Sequence, residues 1–486
     1  LQRMELLKTG YMGTLSLGWD NYLFLELTGR QERSSTLKDQ SFFYPSANLS
    51  FLFSNAFRMP AWWNHGKLRL SYGVVGNAPE TYAANIIYEQ GSDNGFTWNY
   101  VPSSWGNANI RPEKKYEYEI GFESKFLNNR LGFDVSYYNN RVKDQILSTP
   151  QPSTSGVKYV LMNVGEVANE GWDISVSATP VLTKNFRWDL TANYGIYRNK
   201  VVKLADGVPY LEISNIGGGG AKIQAVEGRP MGDIYVQVPQ MNENGEYLVS
   251  DKGLYMNQTE LQRVGNINPD GVGGLFSSFS YKNIFLDFSI DFRIGGDVIN
   301  EMYQYSTASG LTPESLQFRD TEHGGLSYYY PGNNNASGVP VQVDPSLGAG
   351  PNGETVYHDG VILPGVVAST GEKNTRIIPA GYYYNQTYNW GTQPEQLTYR
   401  HSVFDNSYVK LRELTIGYQF PEKLISKLGM TRLSVSVFGR NLFYFYKALK
   451  NYDAESSVGT SWASQAVVGG STTATRNFGV SLRASF

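Results

Sequence analysis

Cysteine is absent from the 486 residues, which excludes disulfide frameworks, thiolate metal sites and cysteine nucleophiles. Histidine is scarce: His65, His323, His358 and His401 are scattered and form no HExxH-type pair, which argues against a histidine-built metal centre. Basic charge is not in excess, with 41 Lys and Arg against 44 Asp and Glu and a formal net charge of -3, whereas a nucleic-acid binder presents a basic face. Charged residues amount to 17%, below the ~25% usual in soluble domains. No apolar run reaches ~18 residues, so no helix is expected to cross a membrane. Residues 1–7 contain no apolar core of about 7–15 residues and no cleavage site, so no signal peptide is expected, and the natural start of the protein is expected to lie upstream. What the chain has instead is 35 Tyr, 51 Gly and 14% aromatics, with a mean hydropathy of -0.36. That mixture does not suit a helical soluble enzyme. The length alone allows about three ordinary domains or one very large one.

The repeated signal has period two, which places alternate side chains on opposite faces of a strand. Tyr11, Gly13, Leu15, Leu17 and Trp19 alternate with Met12, Thr14, Ser16 and Gly18, and Asp20-Asn21 fits a two-residue hairpin turn. Ile284, Leu286, Phe288, Ile290, Phe292 and Ile294 alternate with Asp287, Ser289, Asp291 and Arg293. The last residues run Phe478, Val480, Leu482, Ala484, Phe486 against Ser481, Arg483 and Ser485. About thirteen such strands are predicted, at 11–19, 22–30, 45–53, 67–75, 115–126, 131–140, 171–179, 186–195, 273–281, 284–294, 408–420, 431–441 and 477–486.

The links between them alternate in length. Residues 20–21, 54–66, 127–130, 180–185, 282–283 and 421–430 form the shorter set. The longer set is 31–44, 76–114, 141–170, 196–272, 295–407 and 442–476. Antiparallel neighbours would put each set at its own end, as in an all-β transmembrane barrel with short periplasmic turns and long extracellular loops. A soluble sandwich or propeller also alternates. Two features favour the membrane. The polar face carries Asp287, Asp291 and Arg293 behind a face of bulky apolar residues, which suits water inside and lipid outside. Links as long as 196–272 and 295–407 are rare in compact domains unless they are functional. Aromatics near strand ends (Tyr11, Trp19, Tyr22, Trp172, Tyr194, Tyr281 and Tyr418) fit the headgroup level, although tyrosine is also a good strand former.

No constellation for catalysis emerges. The run from Gly217 to Lys222 lacks phosphate-loop spacing and reads as a surface loop. Residues 268–271 read as a turn rather than a calcium loop. Glu117, Glu119 and Glu123 share one strand face, where a water-filled lumen accounts for them without acid–base chemistry. No GxSxG elbow occurs. The longest link does carry aromatic clusters: Tyr328, Tyr329 and Tyr330, then Tyr382, Tyr383 and Tyr384, with Trp390. Such rings are candidates for contact with a ligand or a partner, and the competing reading is that they pack the loop's private core.

Several segments resemble the SusC-like TonB-dependent transporters of Bacteroidetes outer membranes. Residues 406–421, NSYVKLRELTIGYQFP, are similar to that family's SYVRLKNLTLGYTLP. Residues 439–443, GRNLF, are similar to GQNLF, and residues 451–455, NYDAE, to GYDPE, with Ala454 where the family has Pro. Upstream, residues 44–46, 67–77 (KLRLSYGVVGN), 126–131 with Asp144, and 163–172 (NVGEVANEGW) match in order. These are strand and turn motifs, so no substrate residue is carried over. The resemblance implies the C-terminal part of a barrel of about 22 strands, with the plug and first strands outside these residues. It further implies energy from a TonB complex through that plug, and a SusD-like lipoprotein lid, commonly in a dimer of transporter–lipoprotein pairs. The implied cargo is an oligosaccharide, with oligopeptide as the alternative. No cofactor and no enzymatic activity are implied. A passive porin or structural barrel is the reading of a different class; it would need neither plug nor lid.

Overall fold

In the computed structural model, residues 5–37, 41–85, 88–150, 154, 156–205, 207–388, 399–449, 451–470 and 474–486 are described. Their framework is one antiparallel sheet of thirteen strands, each paired with its neighbours in chain order. The strands are β1 (Lys8–Trp19), β2 (Leu23–Ser34), β3 (Ser41–Phe51), β4 (Trp63–Asn77), β5 (Glu113–Phe126), β6 (Leu131–Lys143) and β7 (Glu166–Leu182). They continue as β8 (Phe186–Lys203), β9 (Gly271–Tyr281), β10 (Ile284–Ile294), β11 (Tyr408–Gln419), β12 (Arg432–Lys447) and β13 (Asn477–Ser485). All thirteen predicted strands are present. No helix among the described residues is long and apolar enough to cross a membrane.

Short-link geometry rests on left-handed backbone, which Asp and Asn tolerate better than Leu127 does. Asp20 and Asn21 have φ of 45° and 57°, and Leu127, Asn128 and Asn129 have 54°, 58° and 62°. Trp19 pairs with Leu23, so the first turn takes three residues, 20–22, one more than the sequence suggests. Link 31–44 also differs from expectation. β2 and β3 stay paired out to Arg33 and Ser41, which leaves only residues 35–40 between the strands.

The two faces of the sheet separate by chemistry. Leu15, Leu17, Ile120, Trp172, Ile284, Ile416, Val437 and Val480 form an exposed apolar face. The opposite face pairs Asp134 with Glu123, Asp173 with Ser136 and Asp287 with Ser278 across neighbouring strands. An apolar face turned to the solvent is the inverse of a water-soluble sheet and matches a lipid-facing barrel wall. Towards the long-link end the strands outrun the predicted spans, and the rule reverses. Val167 and Val201 lie on the otherwise polar face, and both are buried, with Leu204 and Ala225 packed against Val201.

The long links gather at one end, as their length pattern predicts. Leu37, Phe42 and Ile110 share a core that Ala78, Ala84, Ile146 and Leu161 join, uniting the first three long links. The last three merge in a second core. Ile216, Ile223, Ile234 and Ile267 from 204–270 pack with Ile299 and Tyr399 from 295–407 and with Ala463, Ala466 and Val467 from 448–476. Strand pairing reinforces this: Leu248–Val249 runs parallel to Val366–Val367, and Asp297–Asn300 runs parallel to Val467–Val468.

Candidate functional site

The polar face of the sheet encloses a cavity of about 700 Å3 whose lining runs from β4 to β11 and includes Arg69, Asp134, Asp173, Asn193, Asp291 and Arg293. Several charges on this face are paired or hydrogen-bonded. Arg69 Nη2 donates to Asp134 Oδ1 at 2.5 Å and to Ser136 Oγ at 3.1 Å, and Arg69 Nη1 reaches Glu123 at 3.5 Å. Glu117 accepts from Asn140 Nδ2 at 3.1 Å and lies 2.5 Å from Lys115. A carboxylate held by a cation or an amide is tied to wall structure, which accounts for Glu117 and Glu123 of β5. Among the described residues no cluster of three or more His, Asp or Glu is arranged to hold a metal ion.

Over this interior stands the loop assembly, and the two tyrosine triplets lie in it. Tyr328 is buried in the short strand Leu326–Tyr329, stacked on Tyr357 at 5.5 Å and edge-on to Tyr330 at 5.6 Å. Its hydroxyl donates to Asp359 Oδ1 at 3.1 Å, and burial together with the Asp359 charge pushes its pKa well above the ordinary tyrosine value. Tyr384 is buried in the helix Ala380–Tyr388, where its hydroxyl donates to the Glu314 carbonyl at 2.8 Å. Burial pushes the Tyr384 hydroxyl up to about 12. Tyr382 and Tyr383 pack on the core of Leu254, Val361, Leu363 and Ile378. Tyr329 and Tyr330 are half-buried. Tyr328, Tyr382, Tyr383 and Tyr384 therefore pack within the loop assembly's own core, and the two triplets lie in separate parts of it. Trp390 lies outside the described residues.

A cluster not singled out in the sequence joins three of the family-like segments. A bulge in the pairing of β10 with β11 leaves Arg412 as the extra residue, and bulges re-aim side chains. Arg412 Nε donates to Asp291 Oδ2 at 2.5 Å, and Nη1 donates to Asn441 Oδ1 at 2.9 Å. The same guanidinium clasps Glu455 with a pair of bonds, at 2.9 Å and 2.5 Å. Lys410, only 2% exposed, reaches Glu455 Oε2 at 2.5 Å and lies over the Tyr444 ring at 4.7 Å. Asp453 accepts from the Tyr444 hydroxyl at 2.5 Å and from the backbone N–H of Glu455 and Ala474. Burial raises the Glu455 carboxyl, but the bonds from Arg412 and Lys410 outweigh it and hold the pKa below the ordinary glutamate value. The outcome is a clasp that pins link 448–476 to the barrel wall. Its only sequence trace was the motif segments themselves.

Comparison with known proteins agrees with this architecture. A family model described as TonB dependent receptor-like, beta-barrel, matches residues 8–234. TonB-dependent receptor P3 of Formosa agariphila is 22% identical over 469 residues, covering 87% of this chain and 39% of that protein. TonB-dependent receptor SusC of Bacteroides thetaiotaomicron is 27% identical over 256 residues, covering 46% of this chain and 24% of that protein. The chain thus spans well under half the length of these curated relatives. The solved structure of the RagAB peptide transporter superposes with a TM-score of 0.70 at 18% identity, covering 99% of this chain and 48% of that one, which speaks to the fold. With strand order, lipid-facing belt and relatives in agreement, the chain is an outer-membrane β-barrel similar to the SusC-like TonB-dependent receptors.

Proposed function

We propose that this chain supplies barrel wall and outer loops to a TonB-dependent importer of oligosaccharides that works beneath a SusD-like surface lipoprotein. The observation that carries the reading is the gathering of all the long links over a polar, charge-lined interior at one end of the sheet. Cargo meets the loops first and the lumen second, and loops carried by a rigid scaffold are where recognition resides. Residues 1–486 act as the C-terminal part of the receptor barrel. The plug that gates the lumen and receives energy from the TonB complex lies in a preceding part of the protein. Two such transporter–lipoprotein pairs form a dimer. In the loops, the half-buried Tyr329 and Tyr330 are the members of the triplets that contact cargo or lid.

An oligopeptide is the second reading. It is favoured by charges of both signs that line the lumen outside any ion pair among the described residues, Asp173 and Arg293, which suit a zwitterionic chain. The test removes residues 311–384 from the full-length transporter and measures uptake of labelled oligosaccharides and oligopeptides, with co-purification of the lipoprotein. Reduced uptake or lost lipoprotein with a folded barrel is expected. Wild-type uptake with normal lipoprotein association would dismiss this loop as the recognition surface. Uptake that persists without TonB would instead make the protein a passive porin.

A further inference from the structure

Link 78–112 projects a two-stranded hairpin, Glu89–Asp93 paired with Phe96–Tyr100, which pairs with no other strand among the described residues. Its tight turn follows from Asn94 and Gly95, with φ of 48° and 85°, the left-handed pair that a two-residue hairpin loop needs. The register sets Phe96 opposite Asp93, Trp98 opposite Gly91 and Tyr100 opposite Glu89. Directly opposed residues share a face, so three aromatic rings and two carboxylates occupy one side of the ribbon. The rings are open to solvent: Phe96, Trp98 and Tyr100 are 77%, 48% and 44% exposed.

We propose that this face is a stacking site for an uncharged oligosaccharide. Residues two apart on a strand are separated by about 6.7 Å, so the three rings can each meet a successive sugar of an extended glycan. The rings offer flat apolar surface to the C–H faces of sugars. Glu89 and Asp93 offer acceptors to sugar hydroxyls, and Glu89 already accepts from the Tyr100 hydroxyl at 2.6 Å. The Trp98 indole is held flat because Gly91 has no side chain: a Cβ there would lie 2.6 Å from the ring. Charge selects the class of glycan. Between Asn77 and Arg111 the chain has no Lys or Arg but carries Glu80, Glu89 and Asp93, so anionic polymers are repelled. An exposed apolar patch rimmed by polar groups is the usual mark of a binding surface. The proposal rests on the importer reading and adds a subsite to it.

The test is calorimetric titration of the full-length transporter in detergent with maltohexaose, cellohexaose, xylohexaose and mannohexaose, and with an alginate hexasaccharide as the charged control. At least one neutral hexasaccharide should bind. Phe96→Ala, Trp98→Ala and Tyr100→Ala should each weaken it about tenfold, the scale of losses when a stacking aromatic is truncated. Gly91→Val removes no aromatic but displaces the indole, and should weaken binding too, while Trp98→Phe should keep part of it. A heat-shift gel checks that each barrel is folded. The proposal is overturned if no neutral hexasaccharide binds, if only alginate binds, or if the alanine variants bind as well as wild type. It is also overturned if Trp98→Ala loses the lipoprotein while sugar binding is unchanged, because the hairpin would then be a protein contact. Sugar uptake by cells together with unaltered binding by the variants would sink the hairpin alone. Hairpin-dependent binding without uptake of any sugar would sink the cargo reading alone.

Discussion

Lys410 shows how much a single side chain depends on a distant one. It is 2% exposed, and Glu455 supplies its counter-charge from 45 residues away. Substituting Glu455→Gln would leave a buried ammonium without its anion and loosen Arg412 as well, at a cost of about 1–3 kcal/mol. The expected readout is faster proteolysis within 448–476, with the barrel intact on a heat-shift gel. Acid should do the same. The folded-state pKa values of Glu455 and Asp453 are both depressed, so the stability they contribute is full above their unfolded values and is lost as pH falls through the folded ones. Protection of this link should therefore hold at neutral pH and fail below about pH 4. A cleavage rate that does not change with pH would mean that the clasp does not hold the link. At Tyr328, Tyr328→Phe removes one hydrogen bond to Asp359 from a buried cluster and should cost about 1 kcal/mol of loop stability, read by hydrogen exchange in 326–361. None of these contacts was legible in the sequence, because residue type alone does not tell which charge a lysine will meet.

Along a strand the situation is the opposite. Ile290 stands at the centre of β10, between Leu275 and Leu411 on the apolar face, while Ser289 lies on the polar face between Phe276 and Glu413. Ile290→Arg should cost about 2–4 kcal/mol near the bilayer midplane, and Ser289→Arg should be tolerated in the wet interior. Equal losses of heat-modifiable barrel from the two variants would show that the faces are misassigned. The alternation that identifies these faces is readable because lipid demands it residue by residue. It stops being readable where the lipid stops. β8 was expected to end at residue 195 and continues to Lys203, and its last turn of pattern is set by loop residues covering Val201. The hairpin at 89–100 is readable in principle from Asn94-Gly95 followed by the alternating Phe96, Trp98 and Tyr100, inside the long link 76–114.

At the scale of the whole molecule the sheet has two bare edges, since among the described residues β1 pairs only with β2 and β13 only with β12. Both edge strands are exposed along almost their entire length. In hydrocarbon each unpaired backbone group costs several kcal/mol, so such a sheet cannot stand alone in a bilayer. Residues 1–486 expressed by themselves should aggregate, and a monodisperse, heat-modifiable barrel that inserts into bilayers would refute the need for further strands. The loops pose no such problem. Two shared cores hold them together, so partial deletions of one link should disturb its neighbours: removing 453–468 should raise hydrogen exchange in 216–236 and 297–300.

The number, order, direction and facing of the strands were determined by the sequence alone, because the pleat has period two and a lipid wall punishes each violation locally. The family resemblance was equally legible, since it rests on those same strand and turn segments. Which loops would fuse, that Tyr328 and Tyr384 would turn inward, and that Glu455 would close on Lys410 and Arg412 were decided only by the tertiary structure. These outcomes depend on contacts between segments such as Tyr384 and Glu314, 70 residues apart, or Trp462 and Asn268, 194 apart. Neither a repeat nor a local propensity encodes them; they arise when the ladder of short turns brings the long links to one end and leaves them only each other to pack against.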